Sequence, residues 1–144
     1  MTGRMPALLG IDWGEKRIGV AYSDGETGIA TPLDTIEYTG RKSVLAGIKR
    51  LAEEYQADTI VVGLPRTMKN EMGPAATKIA AHVDWLKAQL ALKWVMWDER
   101  LSSREVERIL LEADMSRARR KEVRDKLSAQ RILQNYLDYH RNRQ

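Results

Sequence analysis

The apolar run Thr59-Ile60-Val61-Val62-Gly63 constrains the fold of this chain more than any other feature, because it lies between two segments of helical periodicity. A nearly continuous apolar run of this length is typical of a strand buried on both faces. The segment before it, 41–56, repeats apolar residues at helical spacing, and the segment after it, 75–91, follows Pro74, which the first turn of a helix tolerates. The pattern predicts strand–helix alternation around a sheet with parallel strands.

The residues before this run predict an antiparallel meander. Two short apolar runs, 8–11 and 17–23, are joined by a turn at 13–16 that suits a tight hairpin. A third strand is predicted around 29–36, interrupted at Pro32.

The second half of the chain continues the alternation. Residues 94–97 predict another buried strand, and a capping box at 102–105 predicts a helix to about 113. A last helix is predicted from 116 to about 139. We therefore expect a single α/β domain over 1–144, with a five-stranded mixed sheet and flanking helices.

Composition excludes several classes of protein. The chain has no Cys, which excludes disulfide scaffolds, Cys-ligated zinc and thiol catalysis. Its two His are far apart, which leaves little for a His-rich metal site. No apolar run approaches the roughly 20 residues of a membrane helix, so a cytoplasmic protein without a membrane partner is expected.

The net charge of +4 is concentrated in the last third of the chain. Residues 1–99 hold 12 Lys and Arg against 13 Asp and Glu, a balance of −1, whereas 100–144 hold 12 against 7, a balance of +5. Six of these bases lie within 117–126. Such a cluster is typical of polyanion binding, and the alternative is a solvated helix face with ion pairs.

Acidic residues follow the first and last predicted strands. Asp12 ends the first strand, and Asp98 and Glu99 end the last. If these strands are parallel members of one sheet, the acids emerge at the same edge, where α/β sheets bind ligands. The alternative is that each is only a turn or cap residue. Asp125 shares a helical face with three small or apolar residues, 128, 129 and 132, and would then point towards the sheet. The alternative is an exposed Asp in a helix of mixed charge, which would be favoured if the other acids were absent.

Converging carboxylates suit hard divalent cations. Mg²⁺ and Mn²⁺ prefer oxygen ligands, and two such ions about 3.5–4 Å apart activate water for attack on a phosphodiester. A neighbouring basic patch would bind the phosphate backbone.

Four motifs in the expected order resemble those of the YqgF family of bacterial Holliday-junction-resolvase-like or pre-16S rRNA nuclease proteins. They are 10–21 (GIDWGEKRIGVA), 61–65 (VVGLP), 98–103 (DERLSS) and 125–129 (DKLSA). The resemblance covers roughly residues 7–140 and implies a ribonuclease H-like fold. Trp13 is a departure, because relatives commonly have a smaller or β-branched residue there.

The resemblance also implies a metal-dependent nuclease using Mg²⁺ or Mn²⁺. Asp12, Glu99 and Asp125 would be the metal ligands, with Asp98 the alternative to Glu99, because adjacent strand residues face opposite ways. All four are candidate catalytic residues. The implied substrate is nucleic acid, with 5′-end maturation of pre-16S ribosomal RNA favoured over resolution of a Holliday junction, and the ribosome is a candidate partner.

Basic residues near these motifs are candidate nucleic-acid contacts. Some follow the strand ends and others lie in the basic cluster of the last helix: Lys16, Arg17, Arg66, Lys69, Arg100, Arg117, Arg119, Arg120, Lys121 and Arg124.

Two other functions stay open at this point. A non-catalytic nucleic-acid or ribosome-binding module would need the bases but not the carboxylates. An actin-like ATPase is suggested by Asp12-Trp13-Gly14, but that class needs two such domains and 144 residues supply one. A monomer and a homodimer are both compatible with the sequence.

Overall fold

The computed structural model describes residues 7–14, 16–65, 73–99 and 117–141, with the side chains at 99, 117–126 and 141 left aside. The predicted loop at 67–73, apart from Gly73, and the predicted helix at 102–113 lie outside these residues. The described elements are β1 (Ala7–Trp13), β2 (Arg17–Ser23), β3 (Thr31–Glu37), α1 (Arg41–Tyr55), β4 (Ala57–Pro65), α2 (Pro74–Gln89), β5 (Lys93–Glu99) and α3 (Arg117–Arg141).

The five strands form one mixed sheet in the order β3-β2-β1-β4-β5. The pairs β1–β2 and β2–β3 are antiparallel, whereas β1–β4 and β4–β5 are parallel. This confirms the predicted meander followed by strand–helix units. It also confirms that the first, fourth and fifth strands are parallel neighbours, so their carboxyl ends share one edge of the sheet.

The sheet is covered by helices on both faces. Leu9 and Ile11 of β1 point into a core formed with α1 and α2, which we call the α1/α2 face. Leu8 points the other way, into a core with Ala129 and Leu133 of α3, which we call the α3 face. Successive side chains of a strand point to opposite faces of the sheet. The contacts of these three residues therefore determine which face each of the remaining residues of β1 lies on.

Two strands differ from their predictions. β3 begins at Thr31 rather than near residue 29, and Pro32 lies inside it, at a register shift where it pairs with Ala21. Proline is tolerated there because β3 is an edge strand of the described sheet. β5 is at the other edge, and its apolar residues 94–97 are half-buried rather than fully buried, so the prediction of a buried strand was wrong.

α3 is anchored by two glutamines to the residues just before β3. Gln134 accepts a hydrogen bond from the Ala30 amide at 2.9 Å and donates to the Gly28 carbonyl at 2.8 Å. One turn earlier, Gln130 donates to the Ala30 carbonyl at 2.9 Å. These bonds hold α3 in place over the sheet, because both glutamines are tied to the same short stretch of main chain. They also give hydrogen-bond partners to main-chain groups that have none in the strand pairing.

No helix in the described ranges is long and apolar enough to cross a membrane.

Candidate functional site

Asp12 lies at the carboxyl end of β1 on the α3 face. Gly10, two residues earlier, faces Leu133 and Ala129 of α3, and strand alternation places Asp12 on the same side. The carboxylate is half-buried and stands beside Gly19 of β2. Trp13, the next residue, packs on the α1/α2 face. The end of β1 therefore carries a carboxylate on one face and an indole on the other.

The end of β5 lies at the same edge of the sheet. The β1–β4 pairing ends at Ile11 and Val62, which puts Asp12 level with Gly63, and Gly63 pairs with Trp97 of β5. Asp12 is therefore about two strand spacings, roughly 10 Å, from the last residues of β5. The sequence predicted that the acids of the first and last strands emerge at one edge of the sheet. The backbone positions of Asp12 and of the end of β5 confirm this.

Strand alternation separates Asp98 from Glu99. The ring of Trp97 meets that of Tyr136 in α3 at 5.5 Å, so Trp97 lies on the α3 face. Met96 packs on the α1/α2 face. Asp98 is two residues later in the strand, so it lies on the same face, and its Oδ1 atom is buried. Position 99 then falls on the α3 face, as Asp12 does; its side chain lies outside the description.

The backbone at Asp125 belongs to α3, one turn before Ala129. Ser128, Ala129 and Ile132 are buried, as the predicted inward face requires, whereas the side chain of Asp125 lies outside the description. Among the side chains that are described, no three His, Cys, Asp or Glu groups form a metal cluster. The metal site stays a prediction, since two of its three expected ligands are not among them.

The candidate phosphate contacts are only partly described. Lys16 is exposed in the turn between β1 and β2, and Arg17 at the start of β2 is half-buried with its Nε atom covered. The basic residues of α3 lie in its first turns, with side chains outside the description. The remaining three, Arg66, Lys69 and Arg100, lie outside the described residues.

Gly14 closes the turn next to Asp12. Its amide donates to the Arg17 carbonyl at 3.0 Å, and a Cβ at this position would lie 2.5 Å from the same oxygen. The Tyr38 amide donates to the Lys16 carbonyl at 2.9 Å, which ties the turn to the segment after β3. A residue with a side chain at position 14 would have to displace this turn, and with it the end of β1.

Three rings form a cluster on the α1/α2 face at the end of β1, and we call them the aromatic trio: Trp13, Tyr38 and His82. Trp13 and His82 are stacked, with centroids 5.0 Å apart and planes 11° apart. Tyr38 meets both edge-on at 5.8 Å, and its hydroxyl is 3.0 Å from Nε2 of His82. This arrangement of one stacked and two perpendicular contacts is the geometry that aromatic rings prefer.

A pocket of about 450 Å³ opens beside the trio. Among the described residues, its lining consists of the trio, Gly14 and three residues of α2: Trp13, Gly14, Tyr38, Ala75, Lys78, Ile79 and His82. Burial lowers the pKa of His82 below its ordinary value of 6.5, and the positive charges of Lys78 and Arg41 lower it further. The imidazole is therefore neutral at neutral pH. Arg41 itself lies over the ring of Trp85, 4.7 Å from its centroid.

Sequence reasoning singled out Trp13 but missed its partners. Tyr38 follows β3 and His82 lies in the middle of α2, so 44 residues separate the two that hydrogen-bond. Nothing in local periodicity links them. One signal was available in the sequence. His82 follows Lys78 by one helical turn, in a helix that begins near the sheet edge where the strand-end acids were predicted.

The sequence matches the family model described as "RuvX: Holliday junction resolvase" over residues 6–139. The chain belongs to this family. One RuvX-family relative, from Thermoanaerobacter pseudethanolicus, is named "Putative pre-16S rRNA nuclease" and is 45% identical over 137 residues, covering 94% of this chain and 99% of that protein. The family resemblance expected from the four motifs is confirmed.

Solved structures of Holliday junction resolvases share the RuvX-family fold seen here. The fowlpox virus resolvase superposes with a TM-score of 0.59 at 11% identity, covering 93% of this chain and 99% of that one. RuvC of T. thermophilus in complex with a Holliday junction substrate gives 0.55 at 10% identity, covering 96% and 97%. These likenesses show the fold, and the predicted ribonuclease H-like α/β sheet is confirmed.

Proposed function

We propose that this protein is a metal-dependent nuclease that hydrolyses phosphodiester bonds in structured nucleic acid, with the 5′ end of precursor 16S ribosomal RNA as its substrate. The observation that carries the proposal is the shared face of positions 12 and 99 at the carboxyl edge of the sheet. The near-full-length relative named for the same activity supports the choice of substrate.

The expected ligand set fits Mg²⁺ or Mn²⁺. Asp12, Glu99 and Asp125 offer carboxylate oxygens alone, without the nitrogen or sulfur donors that select zinc or copper. We assign the metal to these three residues. When bound, the metal would activate the attacking water and stabilise the leaving oxygen. Asp98, on the α1/α2 face, is assigned a positioning role for the end of β5 rather than a ligand role.

The protein's own residues would bind and orient the substrate. Lys16 and Arg17 flank the end of β1, where a phosphate at Asp12 would lie. The bases in the first turns of α3 precede Asp125 in the same helix and would bind the phosphate backbone beside the cleavage site. Phosphate contacts of this kind fix the register of the substrate without reading its sequence.

The test is cleavage by the purified protein with Mn²⁺ or Mg²⁺, using a precursor 16S RNA and a Holliday junction as separate substrates. We expect Asp12→Asn to abolish cleavage and to keep binding. The matched control is Asp84→Asn, which changes an exposed aspartate of α2 away from the edge. Wild-type protein that binds the RNA and cleaves neither substrate with either metal would overturn the proposal in favour of a binding module.

The second candidate is resolution of Holliday junctions in DNA. The family description and the two solved resolvases favour it. Cleavage of the junction with an intact RNA precursor in the same assay would establish it. A symmetric junction would also favour a two-fold dimer, whereas an RNA end is compatible with a monomer. Action on ribosomal RNA precursors would place the protein in the cytoplasm, in contact with assembling ribosomes.

A further inference from the structure

We propose that the pocket beside the aromatic trio binds one unpaired base of the nucleic-acid substrate, from the nucleotide next to the one whose phosphate lies at Asp12. This inference rests on the proposed function and adds a base-binding subsite to it. Its basis is a juxtaposition: Asp12 and Trp13 are consecutive residues on opposite faces of the same strand end, and the pocket begins at Trp13.

The size and lining of the pocket suit a nucleobase. Its volume of about 450 Å³ lies within the range of about 300–1,000 Å³ found for small-molecule sites. Trp13 and Tyr38 supply aromatic surface, and Ile79 and Ala75 supply an apolar floor and rim on α2. Proteins hold unstacked bases against aromatic side chains in this manner, because every base has a π face.

The polar groups of the pocket suit the edge of a base. The hydroxyl of Tyr38 and Nε2 of His82 form a hydrogen bond of 3.0 Å, which orients both rings. A tyrosine hydroxyl is both donor and acceptor, so it retains capacity for a further hydrogen bond to a base. His82 is neutral at neutral pH, so no buried positive charge has to be neutralised when an uncharged base enters.

The charges at the pocket rim suit a phosphate backbone. Lys78 lines the pocket and is exposed, and Arg41 is close enough for its charge to act on His82 as well. A base in the pocket would bring its own phosphate near these cations. Because Asp12 and Trp13 are consecutive residues on opposite faces, the nucleic-acid backbone would pass around the end of β1, and the next phosphate would then lie on the Asp12 side.

Entry into the pocket requires that the base be unpaired. A base within a duplex is stacked on both sides and paired at its edge, whereas a base in a loop or at an end is free to leave the stack. The subsite would therefore select substrates with at least one unpaired nucleotide beside the cleaved bond. It would contribute to substrate binding without taking part in the chemistry at the carboxylates.

The test uses Ala75→Leu, because Ala75 is an exposed residue at the pocket rim and a larger side chain there narrows the entrance without altering the trio. Ala81→Leu is the matched control, since it makes the same change at an exposed position of α2 that does not line the pocket. Trp13→Ala is less informative, because Trp13 also packs against the core and its loss could unfold the edge.

The probes are an RNA oligonucleotide spanning the mature 5′ end of 16S ribosomal RNA and a series in which each nucleotide in turn is abasic. Binding is measured in the Asp12→Asn background, which keeps the RNA intact. We expect one abasic position to weaken binding about fivefold to a hundredfold, the range for losing a stacked base. Ala75→Leu should weaken binding of the intact RNA by a similar factor and cause no further loss with that abasic RNA.

Equal binding of all abasic RNAs, or an Ala75→Leu effect that is the same for intact and abasic RNA, would overturn the subsite while leaving the nuclease function in place. An Ala81→Leu loss equal to that of Ala75→Leu would overturn it as well, because the effect would then belong to the helix. Failure of the wild type to cleave would instead count against the nuclease proposal, and the abasic series would still report on the pocket through binding alone.

Discussion

Gly10 in β1 lies so close to Leu133 in α3 that a Cβ atom added to the glycine would be 2.7 Å from the Cβ atom of Leu133. The same added atom would be 3.0 Å from the carbonyl oxygen of Ala129. Side-chain atoms do not approach so closely, so α3 rests directly on the backbone of β1. This contact sets the separation between α3 and the strand that ends in Asp12. It therefore also sets the separation between that strand end and the backbone of α3 one turn earlier, at position 125.

Gly10→Ala should destabilise the protein by about 1–3 kcal/mol, the usual cost of overpacking a core. The added methyl group has to push α3 away from β1, and cleavage should fall with it. Urea unfolding and the cleavage rate check both effects. Adding Leu133→Ala should not restore stability, because the conflict involves the Cβ atom that alanine keeps. Recovery in that double variant would contradict the contact described here.

Gln134→Ala should cost about 1–3 kcal/mol, because the buried Ala30 amide loses its acceptor. The Gly28 carbonyl loses its donor as well. The control is Lys87→Ala, which changes an exposed side chain of α2 and should stay within about 0.5 kcal/mol. Equal free energies of unfolding for the two variants would show that the glutamine does not anchor α3.

Glu99→Gln should reduce cleavage about a hundredfold or more, the scale of losing a catalytic group. Asp98→Asn should reduce it by clearly less, because strand alternation places Asp98 on the face away from Asp12. Single-turnover cleavage rates at saturating Mn²⁺ measure the difference, and circular dichroism controls for folding. The reverse order of the two variants would mean that β5 presents Asp98 to the metal.

His82 should make the folded state less stable in acid. Its pKa is lowered from the ordinary 6.5 by burial and by Lys78 and Arg41, so the unfolded chain binds the proton more readily. The free energy of unfolding therefore carries no penalty from His82 above about pH 6.5, and it decreases as the pH falls below that value.

The measurement is the urea midpoint of the wild type and of His82→Gln across this pH range. The variant should lose less stability on acidification than the wild type, since it lacks the titrating group. Tyr38, which hydrogen-bonds His82, stays in place in both proteins. Parallel pH profiles for the two proteins would contradict the expected titration.

Binding to RNA should weaken steeply with salt, because each phosphate bound by the protein releases condensed counterions. Replacing Arg117, Arg119 and Arg120 with Gln should flatten the plot of log binding constant against log salt, by about 0.7 for each single-strand phosphate that is no longer neutralised. Replacing the exposed Lys42 and Lys49 of α1 is the control and should leave the slope unchanged. A salt slope that the α3 variant does not alter would place the docking surface elsewhere.

The order of elements could be predicted from the sequence because local periodicity determines it. The apolar run of β4 and the helical spacing in α1 each depend on neighbours within a few residues, and the convergence of Asp12 with the end of β5 follows from the parallel arrangement. The choice between Asp98 and Glu99 could not be predicted, since it depends on Trp97 meeting Tyr136 in α3. The aromatic trio was equally hidden, because Trp13, Tyr38 and His82 come from three separate parts of the chain.

The glutamine anchors of α3 have a consequence for the order in which the fold is completed during synthesis. Gln134 bonds to an amide 104 residues earlier in the chain. During synthesis, Asp12 and its sheet neighbours leave the ribosome long before this helix does, and the apolar α3 face stays uncovered until then. The sheet is therefore formed from early parts of the chain, but its α3 face is covered only when the last helix has been synthesised.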